Sequence, residues 1–166
     1  MVEMSINELF EVGQSFESSV GEGTKSERSR IPKNYSRISL PEEIIEQIQS
    51  IDYEINFLVS GEIWCPDFQL NACVLKKLCD LNSNFNMSVI TMARGKKFLA
   101  PILEIERENF KGPTIVALDN EFNVLGLFEE RPMSVRELVF EDIKLEYYKG
   151  HYLLDSVKDI LHTIKK

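Results

Sequence analysis

The spacing of hydrophobic and polar positions changes near residue 52 of this chain. Before that point, apolar residues recur at helical intervals among polar ones, as in the isoleucine stripe of 40–50. After it, short continuous apolar runs alternate with helical stretches, and the first run, at 55–59, is typical of a buried strand. The pattern therefore predicts a helical N-terminal extension, 1–51, followed by an α/β domain, 52–166.

Side-chain caps place the helices of the extension. Ser5 with Glu8 three residues later predicts a capping box that opens a helix over 5–12, and Ser15 predicts a short helix over 16–20. Ser39 is the expected cap of the helix over 40–50. The polar stretch 21–37 contains two glycines and a proline, so we expect it to be mobile rather than firmly helical.

The second part alternates strands and helices. Apolar runs predict strands at 55–59, 87–92, 114–118 and 122–128. Helical periodicity predicts helices at 67–80, 134–148 and 152–164, and a partly helical segment at 95–108. A strand–helix–strand unit followed by a hairpin and a helix predicts a central sheet with helices on both faces. Functional groups in such sheets gather at the carboxyl ends of strands.

Charge and hydropathy restrict the classes of partner that the protein is expected to bind. The 166 residues carry a net charge of −8, which disfavours nucleic acid and anionic membranes. No apolar run approaches the roughly 20 residues of a membrane span. The N-terminal stretch is acidic and amphipathic, unlike a secretory signal, so we expect a cytoplasmic protein.

The cysteines fit a reducing compartment. Their number is three, Cys65, Cys73 and Cys79, and an odd count in a chain of this size does not suggest a disulfide framework. The two histidines lie far from them in sequence, and no zinc-ligand spacing occurs. We therefore expect no metal and no cofactor.

One stretch carries most of the chemical information. Trp64-Cys65-Pro66-Asp67-Phe68 reads as a strand running into a sharp turn and then a helix, with Cys65 at the helix start. Partial positive charge and unpaired N–H groups at that point favour a thiolate. The carboxylate of Asp67 opposes this effect, because a nearby negative charge raises a thiol pKa.

Three motifs in this strand order resemble the thioredoxin superfamily. They are Trp64-Cys65-Pro66-Asp67 after the first strand, Gly112-Pro113-Thr114 at the start of the third, and Arg131-Pro132 after the last. More narrowly, the chain is similar to bacterial thioredoxin-like proteins with N-terminal helices and a Trp-Cys-x-Asp motif that lacks the second cysteine. The resemblance implies a four-stranded mixed central sheet flanked by helices.

The resemblance also implies roles for individual residues. Cys65 corresponds to the exposed nucleophile, Trp64 to the aromatic residue that shields the turn, and Pro66 to the first helical position. Pro113 corresponds to a cis-proline that lies across from the thiol and presents backbone to an extended substrate. Gly112 precedes it where family members commonly have a β-branched residue, which implies more room above Cys65. The expected binding residues are Trp64, Pro66, Asp67, Gly112, Pro113 and Thr114.

Two departures from the family pattern go together. Phe68 stands where the resolving cysteine is expected, and Val59 stands where thioredoxins place a buried acid on the first strand. Cys73 lies about 12 Å from Cys65 along one helix, too far for a disulfide. We interpret Cys73 and Cys79 as buried structural thiols. A dithiol cycle is therefore not expected.

Two functions remain open at this point. The first is a monothiol-type thiol-disulfide oxidoreductase, in which Cys65 forms mixed disulfides with a protein or a small-molecule thiol or disulfide. The second is a noncatalytic peptide- or protein-binding module on the same fold, so whether the protein is an enzyme is left undecided. Peroxide reduction is disfavoured, because no Thr or Ser with a preceding Pro stands three or four residues before Cys65.

Overall fold

The computed structural model describes residues 3–165 and has a four-stranded sheet at its centre. The strands are β1 Ile55–Ser60, β2 Phe85–Ile90, β3 Thr114–Leu118 and β4 Val124–Glu129. The helices before the sheet are α1 Ile6–Val12, α2 Phe16–Gly21, α3 Lys25–Arg37 and α4 Glu42–Gln49. The helices between the strands are α5 Pro66–Leu81, α6 Met92–Arg94 and α7 Ala100–Ile102, with a π turn at Gly95–Leu99 and a 3₁₀ turn at Arg107–Asn109. Those that follow the last strand are α8 Met133–Arg136, α9 Phe140–Tyr148 and α10 Leu153–Thr163.

The sheet is mixed and has the order β2-β1-β3-β4. β1 pairs with β2 in parallel, whereas β1 with β3 and β3 with β4 are antiparallel. The predicted α/β fold with a four-stranded mixed sheet is confirmed. Because Ser60 at the end of β1 lies opposite Thr114 at the start of β3, the predicted thiol turn and the predicted proline meet at one edge.

Alternating side chains of the strands feed two hydrophobic clusters, one on each face of the sheet. Phe57 packs into the cluster that also contains Phe68 of α5. Its neighbour Leu58 points the other way and packs with Leu9 and Leu99. Both faces are thus covered, which explains why β1 is buried along its whole length.

The N-terminal residues also cover the free edge of β2. Gln14 and Val89 exchange two backbone hydrogen bonds, each 2.8 Å long, and the Ser88 hydroxyl donates to the carbonyl of Phe10 at 2.6 Å. The predicted capping box of Ser5 and Glu8 is present at the start of α1. A covered edge leaves fewer unpaired backbone groups for pairing with other chains.

Residues 25–37 form a helix, although the sequence pattern favoured an irregular segment there. Thr24 and Glu27 form a capping box at its start. Asn34 donates to the carbonyl of Gln69 at 3.2 Å, and the Tyr35 hydroxyl donates to Asp80 at 2.7 Å. These partners lie on α5, so the helix depends on contacts that a local pattern does not contain. The mobility of 21–37 stays a prediction.

Two other boundaries differ from the sequence prediction. Pro41, not Ser39, occupies the N-cap position of α4, and no side chain caps that helix. The helix expected over 134–148 is divided into α8 and α9, since Val139 has extended backbone and is 67% exposed. Among the described residues, no helix has both the length and the apolar character needed to cross a membrane.

Candidate functional site

A tight turn carries the chain from the end of β1 into α5. Cys65 is the N-cap residue of this 16-residue helix, and Pro66 occupies its first turn. The Cys65 N–H donates to the carbonyl of Glu62 at 3.0 Å, and the Gln69 side-chain amide donates to the carbonyl of Ile63 at 2.7 Å. These two hydrogen bonds stabilise the turn that carries the thiol.

The Gly112–Pro113 segment lies across from the thiol. The peptide bond between these two residues is cis. The Cys65 Sγ atom is 3.8 Å from the carbonyl oxygen of Gly112. The geometry therefore places a half-buried sulfur beside backbone of the β3 entrance, at the edge where β1 ends.

The electrostatic environment of Cys65 favours the neutral thiol. Burial raises its pKa above the ordinary value, and the carboxylates of Asp67 and Glu130 raise it further. The backbone N–H groups of Phe68 and Asp67 lower the pKa, as expected at a helix start, but they do not outweigh the other effects. The predicted stabilising effect of the helix start and the predicted opposing effect of Asp67 both occur, and the net direction of the Cys65 pKa is upward.

Asp67 belongs to a buried ion pair. Its Oδ1 atom accepts hydrogen bonds from Arg131 Nε at 2.9 Å and from the Tyr147 hydroxyl at 2.7 Å, while Oδ2 accepts from Arg131 Nη2 at 3.3 Å. Burial and the negative charge of Asp67 raise the pKa of Tyr147. Although burial lowers the pKa of Arg131, hydrogen bonding to Asp67 raises it, and the net direction is upward. Both residues therefore keep their protons.

An aromatic ring and a hydrogen-bond network stabilise the ion pair. The guanidinium carbon of Arg131 lies 3.5 Å from the ring centroid of Phe140, which is a close cation–π contact. Asn71 donates to the backbone carbonyls of Asp67 and Glu130, at 3.0 Å each, and accepts from the Ser156 hydroxyl at 2.6 Å. This network ties the first turn of α5 to α9 and α10.

The predicted binding residues differ in exposure, and Gly112 is half-buried whereas Pro113 is buried. Trp64 is 62% exposed, and Pro66 is exposed beside it. Thr114 is fully buried, and its hydroxyl donates to the carbonyl of Lys111. Asp67 is also buried, with both carboxylate oxygens accepting hydrogen bonds. Both side chains are thus hydrogen-bonded within the protein, and their part in binding stays a prediction.

Gly112 does not leave open space above the thiol. A Cβ atom at this position would lie 3.0 Å from the sulfur of Met92. The methionine side chain thus lies against the glycine, where the sequence comparison with family members predicted additional room. Met92 itself is half-buried, and nothing in its local sequence marked it as part of this site.

The position expected for a second cysteine, Phe68, belongs to the hydrophobic core. Phe68 is fully buried and stacks on Phe16 with ring centroids 6.4 Å apart, so its predicted core position is confirmed. Cys65, Cys73 and Cys79 are all free thiols. Burial raises the pKa of both Cys73 and Cys79 to about 12. Across residues 3–165, no group of three His, Cys, Asp or Glu side chains could hold a metal ion.

Glu130 and Tyr147 complete the site and were not expected from the sequence. Glu130 has a positive φ of 66°, and its N–H donates to the carbonyl of Pro113 at 2.7 Å. Tyr147 lies 80 residues from its hydrogen-bond partner Asp67. Only the Arg131-Pro132 pair gave a sequence signal for this side of the site, through its resemblance to family members.

Comparisons with known proteins agree with this geometry. The family model described as Thioredoxin matches residues 13–149, a span that includes the Cys65 turn and Pro113. A protein of unknown function from Pseudomonas aeruginosa has a similar crystal structure, with a TM-score of 0.90 and 32% identity over 99% of this chain and 98% of that one. An HIV epitope scaffold is equally similar, with a TM-score of 0.90 and 33% identity over 97% of this chain and 98% of the scaffold. No curated protein matches the sequence.

Proposed function

Because the chain belongs to the thioredoxin family, we propose that it captures a partner through a mixed disulfide at Cys65 and works as a monothiol rather than through a dithiol cycle. The observation that carries this proposal is the half-buried Cys65 sulfur, 3.8 Å from the Gly112 carbonyl and across from a cis Gly112–Pro113 bond. An extended segment lying along this entrance would bring its own sulfur next to the thiol.

The reaction is thiol–disulfide exchange. Cys65 releases its proton to solvent, and the thiolate attacks one sulfur of the partner's disulfide. The Cys65–partner S–S bond forms as the partner's own S–S bond breaks, and the leaving sulfur departs as a thiolate that takes up a proton. An external thiol that attacks the partner's sulfur regenerates Cys65 and carries the partner away as a new mixed disulfide.

The raised pKa of Cys65 sets the character of this exchange. A thiol that is mostly protonated at neutral pH attacks slowly, because the thiolate is the nucleophile. A thiol of high pKa is also a poor leaving group, so the adduct persists. Phe68 supplies no second thiol to release it. The function supported best is therefore slow, lasting capture of a disulfide-containing partner.

Reaction with an aromatic disulfide reagent, followed by intact-mass measurement between pH 6 and pH 10, tests this proposal. We expect one adduct per native chain, located at Cys65, with a rate that rises about tenfold per pH unit below the thiol pKa. The adduct should remain after gel filtration and disappear when a small thiol is added. Cys65→Ser should remove it, whereas Cys79→Ala should not. Faster labelling of Cys73 or Cys79 than of Cys65 would contradict the proposal.

A noncatalytic binding module is the second candidate, and the raised thiol pKa is the observation that favours it. In that case the entrance beside Pro113 holds a peptide without a covalent bond. Affinity capture with a peptide whose cysteine is activated as a mixed disulfide with an aromatic thiol, using wild type and Cys65→Ser, separates the two functions. Equal retention by both proteins supports the binding module, and a reductant-sensitive adduct with wild type alone supports covalent capture.

A further inference from the structure

A groove of about 400 Å³ opens beside the start of α5, between α3 and α9. Four cationic side chains line it: Arg30, Lys33, Arg37 and Lys149. The whole chain has 27 acidic and 19 basic residues, yet none of the described residues that line this groove is acidic. The groove is therefore a local exception to the negative charge of the protein.

The charges of these cations are not neutralised within the protein. In residues 3–165, the ion pairs closer than 4 Å involve Lys76 and Arg131, and none involves a groove cation. Arg37 Nη1 donates instead to the side-chain oxygen of Asn34 at 3.3 Å and to the carbonyl of Tyr148 at 3.4 Å. These neutral partners orient the guanidinium and leave its positive charge available.

The groove adjoins the start of α5, which Cys65 caps. Pro66, which follows Cys65 in the chain, forms part of its wall. So does Gln69, whose backbone N–H donates to the carbonyl of Cys65 at 3.0 Å. Tyr148 of α9 lines the groove as well. A segment bound to Cys65 would therefore place its neighbouring residues in the groove.

Apolar surface accompanies the charges. Leu145 of α9 lines the groove and is 69% exposed, and Leu70 and Pro66 of α5 line it as well. A peptide with acidic and apolar side chains complements both kinds of surface. A long polyanion does not, because it would contact the remaining surface of a chain with net charge −8.

We propose that this groove docks an acidic peptide segment of the partner whose sulfur reacts with Cys65. The inference extends the proposed function, and rests on it for the covalent step, since it names the class of partner for the same site. Charge complementarity determines which disulfide-bearing segments reach the thiol, and the covalent bond then holds them.

Binding without the covalent step tests the groove independently of the thiol. The probe is a fluorescent decapeptide with aspartate and glutamate around a central serine, and the reference peptide has asparagine and glutamine in their place. Anisotropy with Cys65→Ser protein should show the acidic peptide binding at least about tenfold more tightly than the reference at low ionic strength, with a smaller difference at about 0.15 M salt. Equal affinity for the two peptides would overturn the inference.

Charge-reversal variants locate the binding. Lys33→Glu with Lys149→Glu removes two groove cations, and we expect the affinity for the acidic peptide to fall at least about tenfold. The matched control, Lys25→Glu with Lys144→Glu, makes the same charge change on the same two helices outside the groove lining. We expect at most about a threefold loss for this control, as long-range charge effects are screened. Equal losses in the two double variants would show that only net charge matters and would overturn the inference.

A second readout separates failure of the groove from failure of the thiol. A cysteine version of each peptide, activated as a mixed disulfide with an aromatic thiol, is incubated with protein that retains Cys65. The groove variant should form the acidic-peptide adduct at least about tenfold more slowly but react normally with the small aromatic disulfide. If no disulfide reacts although the acidic peptide binds to Cys65→Ser protein, the covalent function fails and the groove stands. If both disulfide peptides react at equal rates, the groove fails and the thiol stands.

Discussion

The two sides of the first turn of α5 hold arginines in opposite situations. On one side, Arg131 forms a bidentate contact with buried Asp67 and stacks on Phe140. On the other side, Arg30 and Arg37 contact neutral groups at the border of a groove that no described acidic residue lines. On the first side the arginine charge is paired with a carboxylate. On the second side the arginine charges have no acidic partner among the described residues.

This difference separates stability from recognition at the start of the helix that Cys65 caps. The paired side ties α5 to α9 and α10 through Asp67, Tyr147 and Asn71, so changing it should affect the whole fold. The open side makes few contacts that depend on its charges, so changing it should affect binding and little else. The predictions below test this separation.

The largest effect is expected at the buried ion pair. Asp67→Ala removes the acceptor of both Arg131 and the Tyr147 hydroxyl and leaves a partly buried guanidinium without its counter-charge. We expect the free energy of unfolding to fall by about 3 kcal/mol. Urea denaturation with circular dichroism measures this. Asp52→Ala, at an exposed loop position, should change it by less than about 0.5 kcal/mol. A change below about 1 kcal/mol for Asp67→Ala would contradict the paired-side interpretation.

An intermediate effect is expected from alkaline pH at Cys73, whose sulfur donates to the Ile31 carbonyl of α3, the helix that carries three groove cations. The pKa of Cys73 is raised to about 12, whereas an unfolded cysteine titrates near about 8.5. Above pH of about 8.5 the Cys73 thiol loses its proton in the unfolded chain but keeps it in the folded protein. The free energy of unfolding therefore falls as pH rises, by up to about 1.4 kcal/mol per pH unit. The contribution is complete below pH of about 8.5 and is lost towards 12.

Denaturant titrations at intervals from pH 7.5 to 10 measure this dependence in wild type and in Cys73→Ala. The variant should be less stable at pH 7.5 because it leaves a small cavity, but its stability should decline less steeply with pH. Unfolded tyrosines begin to titrate towards pH of about 10, but they contribute equally to both proteins, so the difference between the two profiles reports Cys73. Parallel pH profiles for the two proteins would show that Cys73 does not titrate differently in the folded and unfolded states.

The smallest effect is expected on the open side. Lys33→Gln and Lys149→Gln each remove an exposed charge that has no ion-pair partner among the described residues, so the free energy of unfolding should change by less than about 0.5 kcal/mol. Thermal denaturation provides the measurement. Lys76→Gln is the comparison, since Lys76 pairs with Glu17 at 2.9 Å and Asp80 at 3.1 Å. A loss above about 1 kcal/mol in either groove variant would break the distinction between the two sides.

Local pattern predicted much of the fold. The strand at 114–118 has the bounds expected from its continuous apolar run. The strand expected at 87–92 begins two residues earlier, at Phe85, because the polar residue Asn86 interrupts the apolar run. The helix at 25–37 was missed since its stability depends on contacts with α5. Capping residues and apolar runs are local signals, whereas such packing contacts are not.

The site was predictable where its chemistry is local. Cys65 at a helix start and Phe68 in the core both follow from the residues around them. Asp67 looked like an ordinary acid of a first helical turn, but its partners lie 64 and 80 residues away. No spacing rule connects those positions. The sequence therefore identified the thiol but not the residues that support it.

The sequence by itself determined that a single thiol begins α5 and that no second thiol follows at Phe68, because these are properties of neighbouring residues. It also determined the net charge of −8, from which an anionic partner looked unfavourable. The tertiary structure alone decided that burial and Glu130 add to the effect of Asp67 and raise the pKa of Cys65. It also decided that four cations from two distant helices meet beside that thiol. Burial and electrostatic potential depend on which distant residues fold together, and that information is absent from composition and local spacing.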